Sequence, residues 1–214
     1  FSGSRRFKSG SVRDHILGFR GVNGKGDIIK SGGTVVKNVT GYDLSKLITG
    51  SFGTLIALTE LTFKVLPMKN SSGTLIIHED NKDEIAKLFN NLLGSSNEIS
   101  GSVFVPIEPS NKKFNKNREE IFKFNDLKYE GPFLAIRMEG SKKSIDERIR
   151  DLSIELNLKN KKKSILDLHQ SLLFWEKINN LELFSNIKNS LVRVVVPPSK
   201  CINLMKYLDH DYKY

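Results

Sequence analysis

Residues 50–67 read Gly-Ser-Phe-Gly-Thr-Leu-Ile-Ala-Leu-Thr-Glu-Leu-Thr-Phe-Lys-Val-Leu-Pro. A turn of small residues, Gly50 to Thr54, feeds directly into an apolar run that stops at Pro67. Gly50 and Gly53 carry no Cβ, so the main chain here can take positive φ and lie close to a large planar or phosphorylated ligand. Leu55 to Val65 is β-prone and apolar enough to hold that turn rigidly. Alone, the pattern establishes a tight turn ahead of a strand. The residues before it give it a meaning.

Composition sets the outer limits. With 214 residues, 38% hydrophobic and 27% charged, the chain is an ordinary globular polypeptide of one or two domains, long enough to bury a core. Cys201 is the sole cysteine, which excludes an internal disulfide and a cysteine metal cluster and points to a reducing, cytoplasmic compartment. No apolar run approaches the ~20 residues that span a bilayer, and no signal peptide is visible. The chain opens on Phe1, in the middle of a motif, and reads as a fragment, so the missing targeting signal carries little weight. The net charge of +10 comes from dispersed lysines. The densest run, Lys159 to Lys163, reads as a solvated loop. Without a helix-turn-helix, zinc-finger or aromatic RNA-binding pattern, this is bulk charge and not a nucleic-acid site.

The organisation changes near Pro67, dividing the chain into residues 1–68 and 69–214. In the first part, Ile16 to Val22 reads as a strand, Asn23-Gly24-Lys25-Gly26 as a hairpin turn and Asp27 to Lys30 as its partner strand. Asp43 to Ile48 reads as a short helix with Asp43 as N-cap, and Leu55 to Leu66 as a strand. In the second part, strands are expected at Thr74–Ile77, Ser102–Val105, Pro132–Met138 and Leu191–Val196. Helices are expected at Asp83–Leu93, Ser144–Leu156, Leu172–Ile178 and Cys201–Leu208, and residues 111–128 read as a charged mobile loop. Strands and helices alternate without a Rossmann-type glycine fingerprint. The expected class is therefore α+β, an antiparallel sheet with helices on one face.

Four local patterns carry chemistry. Ser2-Gly3-Ser4-Arg5-Arg6 is a small-residue loop able to present backbone N–H groups to phosphate, or simply a frayed end. In Gly10-Ser11-Val12-Arg13-Asp14-His15, Arg13 and Asp14 form either a buried ion pair locking the loop or a surface pair of little worth. His15 entering a strand reads as structural. Gly32 to Leu44 packs Lys37, Asn38, Tyr42 and Asp43 between glycines, the composition of a ligand-facing loop; its Asn38-Val39-Thr40 sequon has no secretory context and reads as chance. The fourth pattern is the Gly50–Leu58 turn and strand.

In this order and spacing, the first 67 residues resemble the second half of the FAD-binding domain of the vanillyl-alcohol-oxidase/PCMH flavoprotein superfamily. The stretch Gly32-Gly33-Thr34-Val35-Val36-Lys37-Asn38-Val39-Thr40-Gly41-Tyr42-Asp43 narrows the likeness to glycolate oxidase subunits of the FAD-binding E type. Phe133 to Gly140, Phe174-Trp175 and Arg193 to Pro197 resemble the cap domain of that family. The resemblance implies that Phe52, Gly53, Thr54, Leu55, Ile56, Ala57 and Leu58, entered through Gly50, lie along the adenosine and pyrophosphate of FAD. It places Ser2 and Gly3 near the pyrophosphate and flavin, and Ser11 and Asp14 close to the cofactor, with Asp14 alternatively only bracing its loop. Ile56 departs from the family's usual glycine, so either its side chain points away from the cofactor or adenine binding is altered. The family's glycine-rich pyrophosphate loop and a C-terminal extension are absent from this sequence, which argues against tight FAD binding by this piece alone.

What the resemblance implies for function is oxidation of glycolate to glyoxylate, with hydride transfer to flavin. The expected partners are a paralogous flavin D subunit and an iron–sulfur F subunit, with possible peripheral attachment to the inner face of a bacterial inner membrane. No catalytic base or substrate clamp is evident, so the catalytic residues stay unassigned, and no metal ligands are expected. Two alternatives remain: another FAD-dependent 2-hydroxy-acid dehydrogenase of D-lactate type, and a structural subunit without its own catalysis, whose flavin is structural or lost.

Overall fold

The computed structural model describes residues 3–37, 41–106, 112–122, 131–185, 187, 188, 190–197, 200, 201, 203, 204 and 207. Cα packing divides the chain into two compact units, Phe1–Met68 and Lys69–Tyr214.

The first unit opens with two single turns of helix, α1 (Arg6–Ser9) and α2 (Val12–His15), followed by β1 (Ile16–Val22), β2 (Ile28–Gly32), α3 (Leu44–Ile48) and β3 (Ala57–Phe63). The strands form an antiparallel sheet in the order β2-β1-β3. The β1–β2 hairpin closes on Asn23, whose Oδ1 accepts from the backbone N–H groups of Lys25 and Asp27, each at 2.9 Å. That side-chain turn sets the register, pairing Val22 with Ile28 and Gly18 with Gly32. Asp43 caps α3 as expected, accepting from Lys46 N–H at 3.1 Å. The core of this unit is small: Phe19, Ile48 and Ile56, with Ile29 and Leu44 against them. β3 is shorter than the Leu55–Leu66 run suggested, and Leu58, Leu61 and Phe63 along it are exposed.

The second unit runs β4 (Ser71–His78), α4 (Lys82–Gly94), β5 (Gly101–Val105), α5 (Lys112–Ile121), β6 (Phe133–Gly140), α6 (Lys142–Glu155), β7 (Lys163–Leu166) and α7 (Leu168–Asn179), closing on a 3-10 turn at Glu182–Phe184. Its sheet is antiparallel throughout, in the order β5-β6-β4-β7. Setting α5 aside, β4 to β7 follow a β-α-β-β-α-β path. Each long helix begins on a cap: Asn81 for α4, Ser141 for α6, and an Asp167/Gln170 capping box for α7.

Helices cover both faces of this sheet, not one. Leu75 and Ile77 of β4 and Leu134, Ile136 and Met138 of β6 pack with Leu88 and Leu92 of α4 and Ile145, Ile149 and Leu152 of α6. On the opposite face, Ile76, Phe133 and Ala135 pack with Phe114, Phe122, Phe174 and Trp175. This double burial explains why Leu75–Ile77 and Phe133–Ile136 read as unbroken apolar runs instead of alternating.

Three other expectations change. Residues 112–121 form a helix because Phe114 and Arg118, four apart, face inward with Phe122 one turn further on; lysines and asparagines elsewhere diluted that pattern. Residues 111 and 123–128 of the expected loop lie outside the described residues. The lysine run ends in β7, held by pairing with β4. Residues 191–196 form no strand: the described residues offer them no pairing, and Leu191, Val192, Val194 and Val195 are exposed. Residues 200, 201, 203, 204 and 207 are helical, and the rest of the expected C-terminal helix lies outside the described residues.

The α7 side of the sheet also buries a polar network. Trp175 Nε1 donates to Thr74 Oγ1 at 2.8 Å, and the hydroxyls of Thr74 and Ser72 meet Ser171 Oγ at 2.8 and 2.9 Å. Arg137 Nε donates to Ser72 Oγ at 3.2 Å, while its guanidinium pairs with Glu139 at 3.1 Å and lies 5.8 Å from the Trp175 ring centre. Thr74→Val leaves the indole N–H and Ser171 short of a partner and is expected to cost about 1–3 kcal/mol in urea unfolding. Thr74→Val combined with Ser171→Ala should cost less than the sum of the two single changes.

Candidate functional site

The Gly50–Thr54 turn has an unusual backbone. Gly50, Phe52 and Gly53 all have positive φ, at 89°, 52° and 76°. Ser51 N–H donates to Ile48 O at 3.1 Å and Thr54 N–H to Ser51 O at 3.0 Å, which ties the turn back to α3. The Thr54 hydroxyl is used internally, donating to Ser51 O at 2.6 Å. Where a Cβ would project at Gly50 or Gly53 there is open space, and the Phe52 side chain is 83% exposed. The glycines are thus required by conformation, not by crowding from this chain, and the surface in front of them is clear.

Ile56 is the exception in the stretch that follows. It is buried against Phe19 and Ile48, while Leu55, Ala57 and Leu58 are exposed. The room for it comes from Gly21 on β1, where an added Cβ would sit 2.8 Å from Ile56 Cγ1. The Ile56 side chain therefore turns into the core of this unit.

Ser11 and Asp14 form a closed loop brace. Both the N–H and the hydroxyl of Ser11 donate to Asp14 Oδ2 at 2.7 Å, in the capping box of α2. Of the two readings left open for Arg13 and Asp14, the buried pair does not form: both are exposed, and Arg13 Nε donates to Lys46 O at 3.3 Å, tying α2 to α3. His15 sets Nε2 2.6 Å from Ser9 O and Nδ1 3.0 Å from Lys64 O. Gly3 is exposed and accepts from Arg6 N–H at 3.1 Å, whereas Ser2 and the 38–40 sequon lie outside the described residues.

A small cavity of about 120 Å³ gathers the second and third sequence patterns, with Asp14, Gly32, Tyr42 and Asp43 in its lining. Lys46 and Lys64 join them there. No sequence signal marked these two lysines: one sits inside a short helix, the other at the exit of a strand. The Gly50–Leu58 segment does not line this cavity.

No family model matches the chain. Among curated proteins, the glycolate oxidase subunit GlcE of Escherichia coli is 53% identical over 74 residues, covering 35% of this chain and 21% of that protein. The glycolate oxidase subunit GlcD of Bacillus subtilis is 38% identical over 93 residues, 44% of this chain and 20% of its own length. Over these stretches the chain is similar to glycolate oxidase subunits. It spans about a fifth of the length of these relatives. A D-lactate dehydrogenase of Anaerostipes hadrus is 43% identical over 82 residues, 38% of this chain and 17% of that protein. A solved alkyldihydroxyacetonephosphate synthase structure matches the fold over 86% of this chain and 34% of its own, with a TM-score of 0.58 and 20% identity.

The Asp14 brace carries a pH signature. The Ser11 backbone N–H first, and then its hydroxyl, hold this carboxyl below the ordinary value of 3.8. The brace is at full strength above that ordinary value and is lost as pH falls through the lower, folded value. Amide exchange at Ser11 should therefore lose protection only on strong acidification. Asp14→Asn should remove that acid step and leave Ser11 less protected at neutral pH.

Proposed function

We propose that this chain belongs to the FAD-binding subunit of a glycolate-oxidising complex, with residues 1–68 as the C-terminal half of the flavin domain and residues 69–214 as its cap. The observation that carries this reading is the Gly50–Thr54 turn, left-handed at three of five positions and clear in front of both glycines. It occurs in a chain 53% identical over 74 residues to a glycolate oxidase subunit.

The surface suits the cofactor. The open Cβ positions admit a flat or phosphorylated group at the main chain, and the exposed Phe52 ring offers a stacking face. In this reading Gly50 and Phe52 to Leu58 lie along the adenosine and pyrophosphate, Ser2 and Gly3 near the pyrophosphate and flavin, and Ser11 and Asp14 beside the cofactor. Ile56 contributes backbone only. Bound FAD would supply the redox chemistry, accepting a hydride equivalent from the α-carbon of a small 2-hydroxy acid. The work of this chain is to bind and orient the cofactor. Asp14 is committed to Ser11, and both ring nitrogens of His15 are committed to carbonyl groups, so neither is placed to act as a base. The partners in this reading are the paralogous flavin subunit and an iron–sulfur subunit. Among the described residues no helix is long and apolar enough to cross a membrane. Cytoplasmic location with attachment through the complex is part of the proposal.

A second reading, a D-lactate-type dehydrogenase, is supported by the 43% identity over 82 residues to the Anaerostipes hadrus protein. The visible spectrum of the chain purified with its partner subunits separates the two. A flavin band bleached by glycolate supports the first reading, and bleaching by D-lactate alone supports the second. Absence of flavin overturns both in favour of a structural subunit. Gly53→Val puts a β-branched side chain at φ 76° and into the ligand's space, and should strip flavin from the complex without loss of the circular dichroism signal. Normal flavin content in that variant would count against the placement.

A further inference from the structure

We infer that His15 is held as a doubly protonated imidazolium at neutral pH, and that this cation positions the Ser9–Asp14 loop against the end of β3. Both ring nitrogens face backbone carbonyl oxygens, Nε2 at 2.6 Å from Ser9 O and Nδ1 at 3.0 Å from Lys64 O. A carbonyl oxygen only accepts hydrogen bonds, so each ring nitrogen must carry a proton. Either neutral tautomer would turn one nitrogen lone pair against a carbonyl lone pair.

The surrounding bonds make the ring a junction. Lys64 N–H donates back to His15 O at 2.7 Å, locking the two residues reciprocally. Ser9 closes α1 through its own N–H to Arg5 O at 2.8 Å. One side chain thus joins α1, α2 and the exit of β3 across the loop that carries Ser11 and Asp14. The charged groups on the elements around it are Arg6 and Lys8 of α1, Arg13 and Asp14 of α2, Glu60 of β3, and Lys64 beyond it. The Lys64 ammonium opposes the imidazolium and the Asp14 carboxylate favours it. The two carbonyl bonds, Ser9's first, outweigh partial desolvation and hold the ring's pKa above the ordinary 6.5. The stabilisation is therefore complete below about 6.5 and is lost as pH rises through the higher folded value. The cofactor consequence rests on the flavin reading above, with His15 as a positioning residue for Ser11 and Asp14; the protonation state does not.

The chain has four histidines, so long-range proton–nitrogen NMR on the labelled protein can resolve this ring. The expected result at pH 7 is imidazolium shifts on both His15 nitrogens and a titration above 6.5. Gly10–Asp14 amides should lose protection in step, after correction for intrinsic exchange. His15→Gln, with one donor nitrogen and one acceptor oxygen, should leave the loop poorly protected at every pH. His15→Arg keeps a permanent cation with several donors and should make protection insensitive to pH; if that variant does not fold, the titration of the unsubstituted chain decides. A neutral tautomer at pH 7, or loop exchange indifferent to the His15 titration, would overturn the inference. Flavin content of the assembled complex, measured over the same pH range, separates the two layers. Loop and ring titrating together in a complex without flavin uphold the latch and sink only the cofactor reading.

Discussion

The strands β4 and β6 have no face turned to water, and much of the second unit follows from that constraint. A strand buried on both sides must be apolar, or must place each polar side chain against an internal partner. Both solutions occur on the same pair. On the α4 and α6 side the buried residues are apolar: Leu75, Ile77, Leu134, Ile136 and Met138. On the α7 side Ser72, Thr74, Arg137 and Glu139 lie in register, Thr74 opposite Arg137 and Ser72 opposite Glu139. Ser171 and Trp175 descend from α7 to meet them. A slide of α7 along the sheet would strand both the indole N–H and the serine hydroxyl. The network thus specifies where the helix sits more than it adds to net stability, which buried ionic groups seldom raise.

The first unit solves a different problem with much less core. Its few buried side chains are supplemented by close backbone contact, best seen where Gly21 makes room for Ile56. Much of its apolar surface stays outside: Phe52, Leu58, Leu61 and Phe63 are all exposed. Apolar surface of this kind is where a ligand or another polypeptide gains most from contact. It lies beside the turn that the functional reading depends on.

Local chemistry made some parts legible from sequence and hid others. The hairpin at Asn23, the cap at Asp43 and the glycine turn were readable because each is dictated by residues within a few positions of one another. The direction of Ile56 was left open by the sequence, since the space for it is provided by Gly21 on another strand. The α5 helix escaped because two inward residues are outnumbered by lysine, asparagine and glutamate. β7 escaped because its four residues are strand only by virtue of pairing with β4. Valine-rich residues 191–196 show the reverse case, where β propensity without a partner among the described residues makes no strand. At the candidate site, the brace between Ser11 and Asp14 was within reach of sequence. The meeting of Asp14 with Lys46 and Lys64 was not, because it depends on how α2, α3 and the end of β3 converge.

The order β5-β6-β4-β7 also has a consequence in time. The first strand of the second unit to leave the ribosome, β4, is an interior strand of the finished sheet. Its two neighbours are encoded much later, and Thr74 must wait for Arg137 on one side and Leu166 on the other. Such long-separated pairings slow folding, because loop-closure entropy is spent before the contacts reward it. Until residue 166 has emerged, the nascent chain carries Leu75, Ile76 and Ile77 with an open edge. In that interval a chaperone has a specific stretch to shield, and a premature stop between β6 and β7 would leave that stretch exposed for good.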